Sequence, residues 1–140
     1  MDNKNEKCVL VLDAELPLGL LANTAAILGV TLGSKLPEIV GSDVYDGEGQ
    51  KHLGIVTIPV PVLAGNKLLL AELRRRLNEE EFAGVIAVDF SDLAQGCKTY
   101  DEFINKMRAA DGNALNYFGL MLCGGKKQIA RLTGNLPLLR

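Results

Sequence analysis

The sequence predicts a single three-layer α/β/α domain spanning residues 1–140, and two observations support this prediction. Three short apolar runs, each typical of a buried strand, are separated by segments whose apolar residues recur at the helical period. The chain has 140 residues, of which 48% are hydrophobic, so it is large enough to bury one independent core. Strands that alternate with helices place helical layers on both faces of a central sheet.

The first strand is predicted over residues 8–12, an apolar run that is followed by the acidic Asp13. A helix is predicted over residues 17–33, with a proline in its first turn and a glycine at its end. Apolar residues surround almost the whole helix, so we expect the sheet and a further surface, such as a second subunit, to cover it. The polar pair Asn23 and Thr24 interrupts this apolar surface.

The next segments predict a hairpin, an edge strand and a second helix. Residues 40–45 and 53–58 are rich in β-branched residues and flank an Asp-Gly-Glu-Gly turn, which predicts a β-hairpin at a sheet edge. Residues 60–63 follow and contain a proline, so they predict an edge strand or an extended segment. Asn66 is placed to cap a helix over residues 67–78, whose apolar stripe excludes three consecutive arginines.

The second half repeats the alternation of strand and helix. Residues 85–90 predict another strongly buried strand, which leads into a loop. Thr99 and the glutamate three residues later have the spacing of a capping box, so a helix should run from there to about residue 110. A third apolar strand is predicted over 115–123, and a glycine pair then turns the chain into a short helix over 126–132.

Composition and charge exclude several classes of protein. The formal net charge is -2, whereas a dedicated nucleic-acid binder carries a strong basic excess. The three widely spaced cysteines match neither a zinc site nor a disulfide framework, which favours a reducing cytoplasm. The longest apolar region, residues 16–32, is interrupted by proline, glycine and polar residues, so neither a membrane span nor a secretory leader is expected.

Asp13 and Asp89 are the acidic residues most suited to chemistry. Each is predicted at the C-terminal end of a buried strand, which is where open α/β sheets place their ligand crevice. If the two strands are neighbours, both acids should converge with Asn23. The alternative is that each acid caps a neighbouring loop or helix.

A second candidate site lies at the start of the last predicted helix. Gly124, Gly125, Lys126 and Lys127 form a possible anion-binding cradle, because free N–H groups and the positive end of the helix dipole meet there. The spacing of a P-loop is not met, so a simple turn is the alternative. The arginines at 74–76 join a phosphate-binding face only if the two helices share one side, and exposed charge also serves solubility alone.

The histidine and the cysteines give weaker signals. His52 is the only histidine and lies beside the hairpin turn, so a solvated role is the simpler interpretation and no metal site is predicted. Its position in the chain does not rule out a Ser-His-Asp triad. Cys97 is a candidate nucleophile without an identified base, whereas Cys8 and Cys123 should be small core residues. No GxGxxG motif is present, and no cofactor is expected.

Several segments resemble the type 2 peptidyl-tRNA hydrolases and, more closely, an uncharacterised bacterial family called domain of unknown function 2000. The opening, the last strand and the closing tail of the hydrolases are similar to residues 7–13, 16–19, 23–26, 119–124 and 129–139 of this chain. The segments similar to the uncharacterised family are the Leu-Pro after the first strand, Asn23, the Asp-Gly turn after Tyr45 and residues 61–65. The resemblance implies a three-layer sandwich with a mixed, mainly parallel central sheet.

The resemblance also shows which polar residues of the hydrolases are missing. The hydrolases carry a Gly-Lys, then a glutamine and a histidine, in the first helix, whereas this chain has Leu21-Ala22, Ile27 and Gly29 in that region. Only the acid carries over, at Asp89, and the Gly and Arg-Thr that follow it in the hydrolases are absent. The architecture is therefore expected without the activity, because a fold alone does not transmit function.

These observations lead to three hypotheses about function. The first is a non-hydrolase that binds a small molecule or a protein, as a homodimer, with Asn23, Thr24 and Asp13 as ligand-binding residues and Asp89 at the same crevice. The second is a hydrolase acting on peptidyl-tRNA or a related acylated nucleotide, with Asp89 as its catalytic residue. The third is a structural or regulatory dimer module that has neither a ligand nor turnover.

Overall fold

The computed structural model describes residues 5–140, in which strands and helices alternate. The strands are β1 (Glu6–Asp13), β2 (Val44–Tyr45), β3 (Lys51–His52), β4 (Val62–Gly65), β5 (Ile86–Ser91) and β6 (Tyr117–Gly125). The helices are α1 (Leu18–Lys35), α2 (Lys67–Arg76), α3 (Asp92–Gln95), α4 (Tyr100–Ala109) and α5 (Lys126–Thr133). This is the α/β alternation that the sequence predicts.

Four of the strands form one mixed sheet in the order β4-β1-β6-β5. β1 pairs with β4 in parallel, whereas β6 is antiparallel to both β1 and β5. The expectation of a mixed sheet is confirmed. The expectation of a mainly parallel sheet is wrong, because two of the three strand pairs are antiparallel. Three strands do point the same way, and β6 inserts between two of them with the opposite direction.

Helices pack on both faces of this sheet. Alternate side chains of β1 point to opposite faces, so Cys8, Leu10 and Leu12 join the core beneath α1, while Val9 and Val11 join the core beneath α2 and α5. Both sets are buried, which explains the continuous apolar run in the sequence.

Side-chain caps begin α2 and α4 where the sequence predicts them. The Asn66 side-chain oxygen accepts a hydrogen bond from the Leu69 N–H at 2.9 Å. The Thr99 hydroxyl accepts one from the Glu102 N–H at 3.1 Å. Each bond satisfies an N–H group that has no partner inside its helix.

Three predictions for the second half of the chain differ from the structure. β5 is an edge strand and only partly buried, because β6 pairs with one side of it alone. The loop after β5 contains the single-turn helix α3, too short to show a helical period, in which the Ser91 hydroxyl accepts a hydrogen bond from the Ala94 N–H. The glycine pair before α5 is not a turn, since Gly124 and Gly125 continue β6 opposite Lys7 and Glu6.

The hairpin around β2 and β3 forms a two-stranded sheet of its own instead of joining an edge of the central sheet. We call residues 39–58 the arm. Its two halves are joined along their length, with the Thr57 N–H bonded to the Ile39 carbonyl at 2.8 Å and the Gly41 N–H bonded to the Ile55 carbonyl at 2.9 Å. Only its base is anchored, by Ile39 and Ile58, which pack into the core beneath α1.

The two edges of the central sheet differ, because another segment of the described chain pairs with only one of them. The chain after α5 returns along β4, where the Ala64 N–H bonds to the Pro137 carbonyl at 2.8 Å and the Leu139 N–H bonds to the Val62 carbonyl at 2.9 Å. No strand within residues 5–140 pairs with the outer edge of β5. An unpaired edge exposes backbone donors and acceptors, and a cavity lies along this one.

Among the described residues, α1 alone is long and apolar enough to span a membrane by length and composition, with a hydropathy of 1.2. Its Thr24, Leu28 and Leu32 are buried against the sheet. The core helix of an α/β domain passes the same test, so the composition of α1 is weak support for a span.

Candidate functional site

The candidate site is a cavity of about 480 Å³ between α1, β5, α3 and α4, which we call the β5 cavity. Its walls are mostly apolar and aromatic. Its lining residues are Ile27, Thr31, Val88, Asp89, Phe90, Ser91, Ala94, Cys97, Lys98, Thr99, Tyr100 and Phe103. The unpaired edge of the sheet therefore forms one wall, and helix side chains form the others.

The hydroxyl and thiol groups of Ser91, Thr99 and Cys97 are engaged with the backbone. Ser91 caps α3 and Thr99 caps α4, each through its side-chain oxygen. The Cys97 thiol donates to the Leu93 carbonyl at 3.2 Å. No histidine lies in this cavity, since the single one is in the arm. These groups fix the shape of the cavity and are not arranged as an activated nucleophile with its base.

Asn23 lies near this cavity but does not line it. Its side-chain Nδ2 donates to Gln95 Oε1 at 3.1 Å and so joins α1 to α3. Asn23 is one helical turn before Ile27, a cavity residue, and positions four apart share a helix face. Sequence reasoning missed Gln95, because α3 is too short to be recognised.

Thr24 is placed differently, since it is fully buried between α1 and the sheet. A side-chain carbon at Gly119 would lie only 3.0 Å from Thr24 Cγ2, so glycine is needed for α1 to approach the sheet here. The Thr24 hydroxyl has no hydrogen-bond partner within the part of the chain that the structure describes. Thr24 therefore contributes to packing at this position and offers no surface to a ligand.

The two acids do not converge with Asn23, because they lie toward the other face of the sheet. Asp89 is level with Val11 across β6, both being paired with Leu120, and its carboxylate lies 3.4 Å from Arg74 Nε of α2. Asp13 Oδ1 accepts the Glu15 N–H at 3.0 Å, which is the loop-capping alternative. β6 separates the two strands, so they are not neighbours.

Asp89 lines the β5 cavity, and its partner Arg74 lines a second cavity of about 330 Å³, which is more polar than the first. Its lining residues include Arg74, Asn78, Asn113 and Tyr117. Arg74 Nη1 donates to Asn78 Oδ1 at 3.2 Å. Burial, followed by the nearby Asp89 carboxylate, raises the pKa of Tyr117.

The glycine and lysine residues at the start of α5 do not form an open anion-binding site, because the backbone N–H of Lys126 already has a partner. The Lys126 N–H donates to the Asn5 carbonyl at 3.0 Å. Gly125 lies opposite Glu6 in the sheet, and a side-chain carbon added to it would lie 3.2 Å from Gln128 Oε1. Lys127 lies in the first turn of α5. The Asn5 carbonyl therefore already occupies the first amide that an anion would use.

The basic residues of α2 and α5 do share one side of the molecule, since both helices pack on the same face of the sheet. Several of these charges are compensated locally. Arg75 pairs with Glu72 at 2.6 Å, and Arg131 pairs with Glu81. Arg76 lies over the Phe82 ring at 5.5 Å.

The remaining candidates have structural surroundings. His52 Nε2 lies 2.8 Å from Asp46 Oδ2 on the exposed arm, and this hydrogen bond is the main cause that lowers the pKa of Asp46. Cys8 and Cys123 are buried opposite each other in β1 and β6, where burial raises the pKa of both thiols. Over residues 5–140 no cluster of three or more His, Cys, Asp or Glu side chains is placed to hold a metal.

Comparison with known proteins gives a family and a fold. The family model described as "Protein of unknown function (DUF2000)" matches residues 6–140. The solved structure of a protein of unknown function from Agrobacterium tumefaciens is similar, with a TM-score of 0.86 and 17% sequence identity over 96% of this chain and 97% of that one. At this identity the likeness shows the fold alone. No curated protein matches.

Proposed function

Because this chain belongs to DUF2000, a family of proteins of unknown function, we propose its function from the site. It is a binding protein without hydrolase activity that holds a small molecule in the β5 cavity. Its scaffold is like that of the type 2 peptidyl-tRNA hydrolases, and it works in the cytoplasm.

The observation that carries this proposal is the character of the β5 cavity. Small-molecule sites are concave, mostly apolar and about 300–1,000 Å³ in volume, with a few polar groups that orient the ligand. The volume of about 480 Å³ falls in this range. The capping bonds of Ser91 and Thr99 hold its walls in place before a ligand arrives, which lowers the entropic cost of binding.

The lining residues indicate the class of ligand. Phe90 and Phe103 offer aromatic surface, and Ile27 and Val88 add aliphatic surface. Lys98 contributes a cation that has no ion pair among residues 5–140, whereas the Asp89 carboxylate is paired with Arg74. The ligand that fits is a molecule with an apolar body and one anionic group.

A dye of this chemical class, 1-anilinonaphthalene-8-sulfonate, provides the first test by fluorescence titration. We expect the wild-type protein to bind it and Ala94→Phe, which fills the cavity, to weaken binding at least tenfold. Lys98→Gln should weaken binding several-fold by removing the cation. Ala71→Phe is the matched control, because Ala71 lines the second cavity instead. Equal affinity of the wild type and Ala94→Phe would refute the proposal.

A second candidate function is hydrolysis of peptidyl-tRNA or a related acylated nucleotide. It is favoured by the meeting of Asp89, Arg74 and Tyr117 beside a polar cavity, where a carboxylate held by arginine could position water. Turnover of peptidyl-tRNA by the wild type that is lost in Asp89→Asn would support this candidate. We expect no turnover and no steeply salt-dependent tRNA binding. A structural or regulatory dimer module would show neither turnover of peptidyl-tRNA nor binding of the dye.

A further inference from the structure

We propose that two copies of this chain associate through the arm and the adjoining side of α1. The inference is independent of the ligand proposed for the β5 cavity. It rests on exposed apolar side chains of the arm and on exposed apolar side chains of α1.

The arm is held together by polar contacts and carries its apolar side chains outward. Asp46 Oδ1 accepts the N–H groups of Glu48 and Gln50, and Asp43 Oδ1 accepts the Gly54 N–H at 2.9 Å. The apolar residues Val44, Tyr45, Leu53 and Ile55 are 58–79% exposed. An isolated two-stranded hairpin is only marginally stable in water. We therefore expect another surface to cover these exposed apolar side chains.

α1 presents a second uncovered apolar surface next to the arm. Leu18 and Val30 are 82% and 75% exposed, and between them Ala22 and Ala26 are exposed as well. Lys35, at the end of the helix, is its only charged residue. Interface cores are depleted of charge, and this surface could be covered without removing a charge from water.

The arm and α1 together offer a projecting segment and a concave one. An apolar cavity of about 280 Å³ lies between the base of the arm and α1, where Gly29 and Gly33 leave open space. The arm is a ridge and this cavity is a groove, and both belong to one chain. A two-fold axis would let the ridge of each copy enter the groove of the other, which closes the assembly at two copies.

The exposed area agrees with a dimer interface. A fully exposed aliphatic side chain carries roughly 100 Å² of apolar surface, as the free energy of burial per side chain and per unit area implies. The exposed fractions of the eight apolar residues of this patch then give about 520 Å². These residues are Leu18, Val30, Val40, Val44, Tyr45, Leu53, Ile55 and Val56. A standard interface buries about 800 Å² per partner, of which roughly 450–520 Å² is apolar.

A lipid surface is the other covering that an apolar patch could have, and the charges disfavour it. The turn of the arm carries Asp43, Asp46 and Glu48 against Lys51 and His52. Anionic membranes attract clusters of lysine and arginine, and the arm has no such cluster. A second copy therefore fits the patch better than a membrane.

The test is the molar mass of the full chain in solution, measured by light scattering after size exclusion at several protein concentrations. We expect twice the chain mass of 15.1 kDa for the wild type. Ile55→Asp and Val30→Asp should give the monomer mass with unchanged circular dichroism. Leu68→Asp is the matched control, because Leu68 is 82% exposed but lies on α2, and it should remain a dimer.

Three outcomes would overturn the proposal. The first is a wild-type protein that is monomeric up to about 100 μM. The second is a dimer that persists in both Ile55→Asp and Val30→Asp when these variants are folded. The third is a wild-type monomer that sediments with vesicles of phosphatidylcholine and phosphatidylglycerol, which would assign the patch to a membrane. Loss of dye binding in Ala94→Phe with the dimer intact would separate this interface from the β5 cavity.

Discussion

At the scale of single residues, the hydroxyl of Thr24 is the least satisfied group in the core. It is fully buried and has no hydrogen-bond partner among residues 5–140. Thr133 is a similar buried threonine, but its hydroxyl donates to the Ile129 carbonyl at 2.9 Å. The two residues share shape and burial and differ in one hydrogen bond, so they form a natural pair for measurement.

We predict opposite effects of valine at these two positions. Thr24→Val should raise the free energy of unfolding by about 1 kcal/mol, because leaving a buried polar group unpaired costs about 1–3 kcal/mol. Thr133→Val should lower it by about 1 kcal/mol, because a hydrogen bond is lost. Urea unfolding of both variants measures this. A destabilised Thr24→Val variant would mean that its hydroxyl has a partner, such as a buried water.

At the scale of elements, α2 and α4 are both capped by a side chain, but only α2 has residues that are buried in the core. Leu70 and Leu73 of α2 are fully buried, whereas no residue of α4 is. Parts of a protein with few buried contacts open locally without global unfolding. α4 forms a wall of the β5 cavity, so its local stability affects access to the site.

Removing the cap of α4 should therefore affect the local stability of that helix, whereas removing the cap of α2 should affect the stability of the whole domain. Thr99→Ala costs about 1 kcal/mol of helix stability, which should speed amide hydrogen exchange in α4 about fivefold and leave the urea midpoint nearly unchanged. Asn66→Ala costs a similar amount, but it should lower the urea midpoint because α2 belongs to the core. If Thr99→Ala lowered the midpoint as much as Asn66→Ala, α4 would unfold only with the whole domain.

The elements also show what a sequence can and cannot predict. The sequence predicts β1, α1, α2 and α4 because their signals are local, namely an apolar run or a cap such as Asn66 or Thr99 followed by a periodic stripe. The order of strands depends on contacts far apart in the chain, and no local pattern encodes that β6 separates β1 from β5. For this reason Asn23 was expected near Asp13 and Asp89, whereas the structure pairs Asn23 with Gln95 and Asp89 with Arg74.

At the scale of the whole molecule, the last residues complete the sheet. Two backbone hydrogen bonds join β4 to Pro137 and Leu139, and Leu139 packs against the core beneath α1. Without them β4 would become an open edge, which is a template for aggregation.

Deleting residues 137–140 should therefore reduce both stability and solubility. We predict a loss of about 2–4 kcal/mol in the free energy of unfolding, from two hydrogen bonds and one partly buried leucine, together with aggregation on concentration. Urea unfolding and light scattering measure the two effects. Deletion of Arg140 alone is the control and should change neither. A truncated protein as stable and soluble as the full chain would show that β4 needs no cover.

The position of β6 has a consequence for how the protein is made. β6 is the last strand of the chain, yet it lies between β1 and β5 and hydrogen-bonds to both. A nascent chain that lacks residues 117–125 has no strand to join β1 to β5, so the sheet cannot close until those residues have been made. Until then α1 has no complete surface to pack on, and such exposed apolar segments are what chaperones recognise. The central sheet therefore forms only after residues 117–125 have left the ribosome, and the earlier apolar segments depend on protection until then.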